Sequence, residues 1–253
     1  MPRKPRIKSE SGIYHIIMRG INRQTLFEDE EDCIKFIKVL EKYKDICQYK
    51  LFAYCLMDNH LHLLLKEGKE PLETVMRRIC GSYVFWYNKK YDRIGYLFQD
   101  RFKSEPVEDD EYFFTVLRYI FNNPIRAGMT NRVKDYKWTN YDDYIEENKR
   151  TDTEFVFDIF NEASREYAMN EFIKYINKEN GDECMDIPDK RQLTDNEAIK
   201  MIKECCNVDH CIDFQKLETE KRDLYIRSLK KLNLSIRQIE RLTGISRGII
   251  QKV

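Results

Sequence analysis

The chain has 253 residues with 44 basic and 44 acidic side chains, so its formal net charge at pH 7 is zero. Its 42% of apolar residues is enough to build a buried core, which excludes a chain that is disordered throughout. No run approaches the roughly 18 apolar residues of a membrane span, and the amino terminus lacks the apolar stretch of a secretory signal. We therefore expect a cytoplasmic protein without a membrane partner.

The charge is unevenly distributed along the chain. Residues 1–27, 77–104 and 221–253 carry net charges of +5, +5 and +7, whereas residues 142–220 carry −12. Residues 77–104 are also rich in aromatic side chains, and basic and aromatic groups together offer phosphate contacts and base-stacking surfaces. Solvation of helix faces explains any one basic segment equally well. Three such segments, each beside a further signal, favour a nucleic-acid partner.

The hydrophobic pattern predicts strands and helices in alternation over the first half of the chain. β-branched and aromatic residues between two glycines indicate the first strand, and apolar residues spaced by three and four indicate the helices. Asp58-Asn59 indicates a hairpin turn, and Pro124 is expected to end the last of these helices. The predicted elements are a strand over Gly12–Gly20, a helix over Glu30–Tyr49, strands over Lys50–Met57 and Leu61–Lys66, a helix over Pro71–Tyr91, extended pieces within Tyr96–Val107 and a helix over Asp109–Asn123.

This order predicts an α+β fold in which helices pack on an antiparallel sheet. The following acidic segment contains one predicted amphipathic helix, Phe157–Ile176, and a turn-rich loop, Asn177–Pro188, which we interpret as a boundary or linker. We expect three parts: residues 1–145, a mainly helical acidic segment over 146–220, and residues 221–253. Our hypothesis is that the acidic segment shields or regulates the nucleic-acid surface, in which case its deletion should tighten nonspecific DNA binding at low salt.

The last 30 residues predict two short helices with a tight joint. Ser235 with Gln238 three residues later is a capping box, and Gly244 with Ser246 predicts a turn followed by a new cap. The pair resembles a helix-turn-helix whose second helix presents Arg247 and Gln251 to a DNA groove. A helical hairpin with no role in nucleic-acid binding remains the alternative.

Two of the four histidines, His60 and His62, lie in a predicted strand. Alternate side chains of a strand share a face, so both imidazoles point the same way, while Leu61 and Leu63 point to the opposite side. Two neutral imidazoles are half of a metal site, which needs a third ligand. A purely structural role for the pair remains open. His15 stands alone in the first strand and is expected to be a packed, hydrogen-bonded core residue.

Tyr119 and Asn123 lie four residues apart in the helix before Pro124, so they occupy one helix face. If this face looks at the histidines, Asn123 supplies an oxygen ligand and Tyr119 places its hydroxyl beside the ion. The alternative is that Tyr119 is one more amphipathic core residue. Tyr87 and Tyr91 are rival nucleophiles, but neither has an amide or acid four residues later that could share an ion.

Five motifs in order over about residues 5–145 resemble the single-tyrosine transposases of the HUH (His-hydrophobic-His) nuclease class found in bacterial insertion sequences. The most similar branch is the REP-associated tyrosine transposases. The motifs are Tyr14-His15-Ile16-Ile17-Met18-Arg19-Gly20, Met57-Asp58-Asn59-His60-Leu61-His62, the segment Gly95–Ser104, the segment Arg118–Gly128, and Trp138-Thr139-Asn140-Tyr141.

The resemblance implies an RRM/ferredoxin-like antiparallel sheet with the histidine pair on a central strand and the nucleophilic tyrosine on a following helix. It implies that His60, His62 and Asn123 hold one divalent cation, Mn²⁺ or Mg²⁺. Tyr119 is then the nucleophile that attacks single-stranded or hairpin DNA and forms a 5′-phosphotyrosine, in a monomer or a homodimer. The basic residues beside the motifs are candidates for phosphate contacts, namely Arg19, Arg23, Arg101 and Lys103.

Two other functions compete with this one. A domesticated DNA-binding regulator would keep the fold without the reaction, although the intact residues of the site argue against it. An RNA-binding protein that uses the sheet is the third possibility, and competition between single-stranded DNA and RNA distinguishes it.

Overall fold

The computed structural model describes residues 6–146, 151–160, 164–186, 195–206, 208, 210–232 and 234–253. The chain divides into two compact units, Met1–Ile187 and Pro188–Val253. In the described part of the chain no helix combines the length and the hydropathy that crossing a membrane requires.

The first unit is built on a four-stranded antiparallel sheet with the strand order β2-β3-β1-β4. The tight turn at Asp58-Asn59 joins β2 to β3, as predicted. With one helix between β1 and β2 and another between β3 and β4, this is the βαββαβ arrangement of a ferredoxin-like fold, which confirms the predicted class. The strands are β1 (Ile13–Arg19), β2 (Lys50–Met57), β3 (His60–Lys66) and β4 (Lys103–Pro106).

Two helices, α1 (Glu30–Cys47) and α2 (Leu72–Lys90), cover one face of the sheet. Their apolar stripes share a core with Leu61, Leu63 and Leu65 of β3, all fully buried. A capping box between Asp29 and Asp32 begins α1, because each side chain accepts a hydrogen bond from the other's backbone N–H. The residues that alternate with these leucines in β3, among them His60 and His62, therefore lie on the opposite face of the sheet.

The third helix, α3 (Asp110–Arg126), lies on that opposite face. Asp109 caps it by accepting a hydrogen bond from the Tyr112 N–H at 2.7 Å. The predicted end at Pro124 is wrong, because a proline in the last turn forfeits only one intrahelical hydrogen bond and the helix continues for two residues. Gly128, at a φ of +70°, then adopts the left-handed conformation that follows many helix ends.

The acidic segment does not contain the single predicted helix over residues 157–176. It forms α4 (Thr153–Ile159) and α5 (Arg165–Asn177), and Ser164 caps α5 by accepting a hydrogen bond from the Tyr167 N–H. Both helices pack into the core beside α3, with Val156 and Phe172 fully buried. The two compact units meet at the end of the predicted boundary or linker and not at residues 145 and 220, because α4 and α5 bury apolar side chains in the first unit.

The second unit is helical and has its own small core. Ser235 accepts a hydrogen bond from the Gln238 N–H at 3.1 Å, as predicted, and Gly244 turns the chain at a φ of +73°. Ser246 is the N-cap residue of the last helix, as predicted, although its side chain accepts no capping hydrogen bond and the Glu240 carboxylate accepts one from the Arg247 N–H. The helices are α6 (Asp195–Cys206), α7 (Thr219–Lys231), α8 (Ile236–Thr243) and α9 (Arg247–Lys252).

Asn140 ties the end of the sheet to the acidic segment. Its carboxamide accepts a hydrogen bond from the Tyr54 N–H at 2.7 Å and donates to the Phe52 carbonyl and the Thr151 hydroxyl, all of them buried. We predict that Asn140→Ala lowers the free energy of unfolding by about 3 kcal/mol, because it leaves buried partners unsatisfied. Urea denaturation followed by tryptophan fluorescence reports this unit, since both tryptophans belong to it. The exposed Asn180→Ala is the control, and an equal effect of both substitutions contradicts the prediction.

Candidate active site

The histidine pair lies on the sheet face that α3 covers. His60 and His62 point to the same side of β3, as predicted, with ring centroids 5.3 Å apart in an edge-to-face arrangement. His62 is fully buried, whereas His60 lies at the strand end and is half-buried, with its Nδ1 atom 2.7 Å from the Asn59 side-chain oxygen. The two imidazoles therefore differ in exposure: the His60 ring is partly open to solvent, whereas the His62 ring is enclosed.

A third histidine belongs to the same cluster. The Nε2 atom of His15 lies 3.1 Å from Nδ1 of His62, and the two rings stack with centroids 5.4 Å apart. The Glu105 carboxylate lies 3.6 Å from the other ring nitrogen of His15. The expectation that His15 is packed and hydrogen-bonded is thus correct, but its partner is a residue of the site. The sequence pattern did not reveal this, because the contact depends on the pairing of β1 with β3.

Burial favours the neutral form of the two inner histidines. It lowers the pKa of His15, an effect that Glu105 opposes, and it lowers the pKa of His62 well below the ordinary value, as do the neighbouring imidazoles. The contact with His15 lowers the pKa of Glu105. A neutral imidazole keeps one nitrogen lone pair for a metal or a proton, so this environment favours ligand chemistry over a fixed positive charge.

Tyr119 packs directly against the histidines. Its ring centroid lies 5.8 Å from that of His62 and 5.9 Å from that of His15. Asn123 lies one helical turn further along α3, is nearly buried, and donates a hydrogen bond to the Tyr119 carbonyl. The guanidinium of Arg126 lies over the Tyr119 ring at 4.9 Å. The structure thus packs Tyr119 against His62, which contacts His60, and places Asn123 one helical turn from Tyr119.

The rival tyrosines lie elsewhere. Tyr87 and Tyr91 pack in the core on the other face of the sheet, between α1 and α2. The Tyr87 hydroxyl donates a hydrogen bond to the Thr25 carbonyl, and the Tyr91 hydroxyl donates to the Asp32 carboxylate. Burial raises the pKa of each to about 12. Neither hydroxyl faces the histidines.

An irregular segment of residues 178–186, here called the strap, crosses α3 beside the site. Arg118 holds it through two hydrogen bonds to Asp182, the shorter at 2.6 Å, and Arg126 donates to the Asp182 carbonyl. At its end the Asp186 carboxylate accepts a hydrogen bond from the Tyr119 hydroxyl at 2.8 Å. Burial and this carboxylate raise the pKa of Tyr119. Sequence reasoning missed Asp186 because it placed the segment in a linker.

The predicted phosphate-binding residues of the first unit fall on two sides of the sheet. Arg19 pairs in register with His60, and Lys103 pairs with Ile17, the neighbour of His62, so both lie on the histidine face. Arg23 follows the end of β1. Arg101, in contrast, lines a groove beside α2.

The predicted DNA-binding residues of the second unit, Arg247 and Gln251, lie on α9. Both are exposed, whereas Ile250 between them is fully buried in the core of that unit. Their side chains are therefore accessible to a partner.

The comparisons with known proteins agree with this geometry. The family model described as Transposase IS200 like matches residues 8–123, a range that includes all three clustered histidines, Tyr119 and Asn123. Residues 8–123 are therefore similar to IS200-like transposases, and for that similarity they are here called the transposase domain. A Haemophilus influenzae protein named as a REP-associated tyrosine transposase is 28% identical over 39% of this chain and 64% of its own length. The chain therefore spans somewhat less than two thirds of that curated relative.

The fold of the transposase domain is also found in a solved structure. A REP-associated tyrosine transposase bound to a REP hairpin superposes with a TM-score of 0.50 and 16% identity, over 58% of this chain and 86% of that one. At this identity the likeness concerns the fold. It confirms the predicted α+β class, whereas the family match and the curated relative support the predicted resemblance to REP-associated tyrosine transposases.

The side chains of the transposase domain fit a metal of the kind that the family implies. Within the described residues no group of three or more His, Cys, Asp and Glu side chains is arranged to hold a metal ion. The candidate donors are the imidazoles of His60 and His62 and the Asn123 carboxamide, a mixed nitrogen and oxygen set of the type that suits Mn²⁺. The Nε2 atom of His62 is buried and has no hydrogen-bond partner among the described residues, which is the state expected of a ligand atom.

Proposed function

We propose that the protein cleaves and rejoins single-stranded or hairpin DNA through a covalent 5′-phosphotyrosine on Tyr119. The observation that carries this proposal is the packing of the Tyr119 ring against His15 and His62 within the transposase domain. A REP hairpin as the bound DNA of a structural relative supports a hairpin substrate. The intermediate would be formed without ATP, because transesterification conserves the phosphodiester bond energy.

The chemistry assigns a bond change to each group. The Tyr119 oxygen forms a bond to phosphorus and the bond from phosphorus to the 3′ oxygen breaks. The released 3′ oxygen becomes a hydroxyl by taking up a proton equivalent to the one that the phenol loses. A later attack by a 3′-hydroxyl on the phosphotyrosine reverses these changes and rejoins a strand. Arg19 and Lys103 lie on the same sheet face and are proposed to bind flanking phosphates.

His60, His62 and Asn123 are the residues that we propose as ligands of one divalent cation, Mn²⁺ or Mg²⁺. When bound, the cation supplies Lewis-acid polarisation of a phosphate oxygen. The residues themselves orient the site: the stacked His15 holds the ring of His62, and the helix α3 holds Asn123 one turn from the nucleophile.

Covalent capture tests the proposed reaction. The full chain is incubated with Mn²⁺ and a labelled hairpin oligonucleotide that carries single-stranded flanks, and the products are separated on a denaturing gel. We expect a labelled protein species that is lost with a chelator, and peptide mass spectrometry should locate the nucleotide on Tyr119. Binding of the hairpin without any adduct would instead favour a DNA-binding regulator, and an adduct on another residue would move the nucleophile.

His15 is predicted to position the proposed ligand His62. A lone pair on Nε2 of His62 requires the proton on Nδ1, which then donates to Nε2 of His15, whose own proton faces Glu105. His15→Leu removes the acceptor, and we expect it to weaken Mn²⁺ binding by about 10- to 100-fold. Calorimetric titration measures this affinity, with the exposed His210→Leu as the control. An unchanged affinity would show that His15 is a packing residue only.

A further inference from the structure

A large groove lies on the side of the transposase domain opposite the histidines. It has a volume of about 880 Å³ and runs between α2 and residues 96–102. This lies in the upper part of the roughly 300–1,000 Å³ that is usual for small-molecule pockets. Its walls are mainly apolar, with Met18, Met76 and Leu97 buried beneath it. None of the residues assigned to the reaction lines this groove.

Gly81 in the middle of α2 lines this groove. A glycine inside a helix costs about 0.5–1 kcal/mol relative to alanine, so its presence calls for a reason. A Cβ atom built on Gly81 meets no described atom within 4 Å, and the residue is exposed. Packing inside this chain therefore does not require the glycine. A close approach of an external group to the α2 backbone would account for the glycine.

The other groove residues suit a nucleic acid. Tyr96 is 83% exposed, so its ring does not contribute to the core and is available for stacking. Arg77 and Arg101 are exposed cations at the groove, and Arg6 stacks on the Phe102 ring at 3.7 Å. Two acidic residues, Glu73 and Asp100, also line it, so the charge alone does not define the ligand. Stacking surfaces together with an arginine excess favour unpaired nucleotides.

The groove is continuous with the candidate active site around the end of β1. Met18 faces the groove, whereas the next residue, Arg19, faces His60. The loop that forms the other wall is fixed to this strand end, because the Gln99 N–H donates to the Arg19 carbonyl and the Ile21 N–H donates to the Leu97 carbonyl. A DNA strand that leaves the site past Arg19 therefore enters the groove directly.

We propose that this groove binds the unpaired nucleotides that flank a DNA hairpin. Bases stack on Tyr96 and against the α2 backbone at Gly81, and Arg77 and Arg101 contact the phosphates. This inference rests on the proposed function for its choice of DNA, but it concerns binding and needs no chemistry at Tyr119.

Fluorescence anisotropy with the full chain tests the proposal without metal. The probes are a labelled hairpin with a single-stranded oligothymidylate extension and the same hairpin with a blunt end. Gly81→Leu fills the groove, and Tyr96→Ala removes the stacking ring. We expect each to weaken binding of the extended hairpin by at least about fivefold and to leave the blunt hairpin unaffected. The melting temperature of Gly81→Leu should be unchanged or higher, since leucine favours a helix.

Matched substitutions outside the groove provide the controls. Phe85→Ala removes an exposed aromatic side chain of α2 that does not line the groove. Arg78→Gln makes the same charge change as Arg77→Gln, one residue away on the same helix. We expect both controls to bind the extended hairpin like the wild type, whereas Arg77→Gln weakens it. Equal losses for groove and control variants, or a loss for the blunt hairpin as well, overturn the proposal.

Two further outcomes are decisive. The wild-type protein could self-associate, and Gly81→Leu could abolish this association without changing DNA binding. That result would show that the groove is a contact between copies of the chain, and the proposal would be wrong. An extension-dependent affinity in a protein that forms no covalent adduct would support the groove while contradicting the proposed reaction. Failure of the two proposals is therefore distinguishable.

Discussion

Tyr119→Phe is expected to abolish the covalent protein–DNA species and strand cleavage to the limit of detection. The substitution removes one oxygen, the atom that would bond to phosphorus, and keeps the ring that packs against His15 and His62. The lost hydrogen bond to Asp186 lies at an exposed carboxylate, so the effect on stability should be small. Hairpin affinity measured by anisotropy should therefore stay within about twofold of the wild type.

The control for this prediction is Tyr87→Phe. It removes a hydroxyl that donates to the Thr25 carbonyl, in the core on the other face of the sheet. We expect this variant to form the adduct normally. If Tyr119→Phe still forms an adduct, the nucleophile lies elsewhere and the site geometry has been misinterpreted. If both variants lose it together with hairpin binding, the loss reflects misfolding.

The sequence predicts the parts of the site that lie close together in the chain. His60 and His62 share a face because strand side chains alternate, and Tyr119 and Asn123 share a face because four residues make about one helical turn. Both inferences need only a correct assignment of strand or helix. The five ordered motifs of the resemblance then supplied the fold that places these faces together, and the family match agrees with it.

The remaining parts of the site depend on contacts between distant residues. His15 reaches His62 because β1 pairs with β3, and Glu105 reaches His15 because β4 pairs with β1 on the other side. Period-two alternation shows which residues share a face of one strand, but it does not give the register between strands. Asp186 was missed for a related reason: the ion pair between Arg118 and Asp182 determines the path of the strap, and no local pattern indicates it.

The predicted helix boundaries were wrong where the sequence rule behind them describes only a tendency. Pro124 usually ends a helix, yet α3 continues for two residues because a proline near the last turn forfeits a single hydrogen bond. The apolar pattern over residues 157–176 was taken as one helix, whereas Ser164 caps a second one. In both cases the apolar residues were correctly assigned to a buried face, so the core was predicted better than the ends of the elements.

Asp186→Asn is expected to increase the rate of adduct formation by about tenfold for each unit by which the pKa of Tyr119 falls. The Asp186 carboxylate accepts the Tyr119 hydroxyl proton in a hydrogen bond, and its negative charge, after burial, raises the pKa of the phenol. It also repels an incoming phosphate. Asparagine keeps the size and removes the charge. The phenolate therefore forms at lower pH, and the rising limb of the pH–rate profile should move toward lower pH.

A slower reaction of Asp186→Asn would indicate that Asp186 is a catalytic base, whereas a faster one indicates that it hinders the nucleophile. A general base at Asp186 would instead make Asp186→Asn slower, because asparagine cannot accept the phenolic proton. Glu183→Gln makes the same charge change in the strap and serves as the control. Asp182→Asn breaks the ion pair with Arg118 that holds the strap on α3, so it should also increase the rate. A rate that rises in both aspartate variants and stays unchanged in Glu183→Gln identifies the strap as an acidic cover over Tyr119, the shielding role expected of the acidic segment.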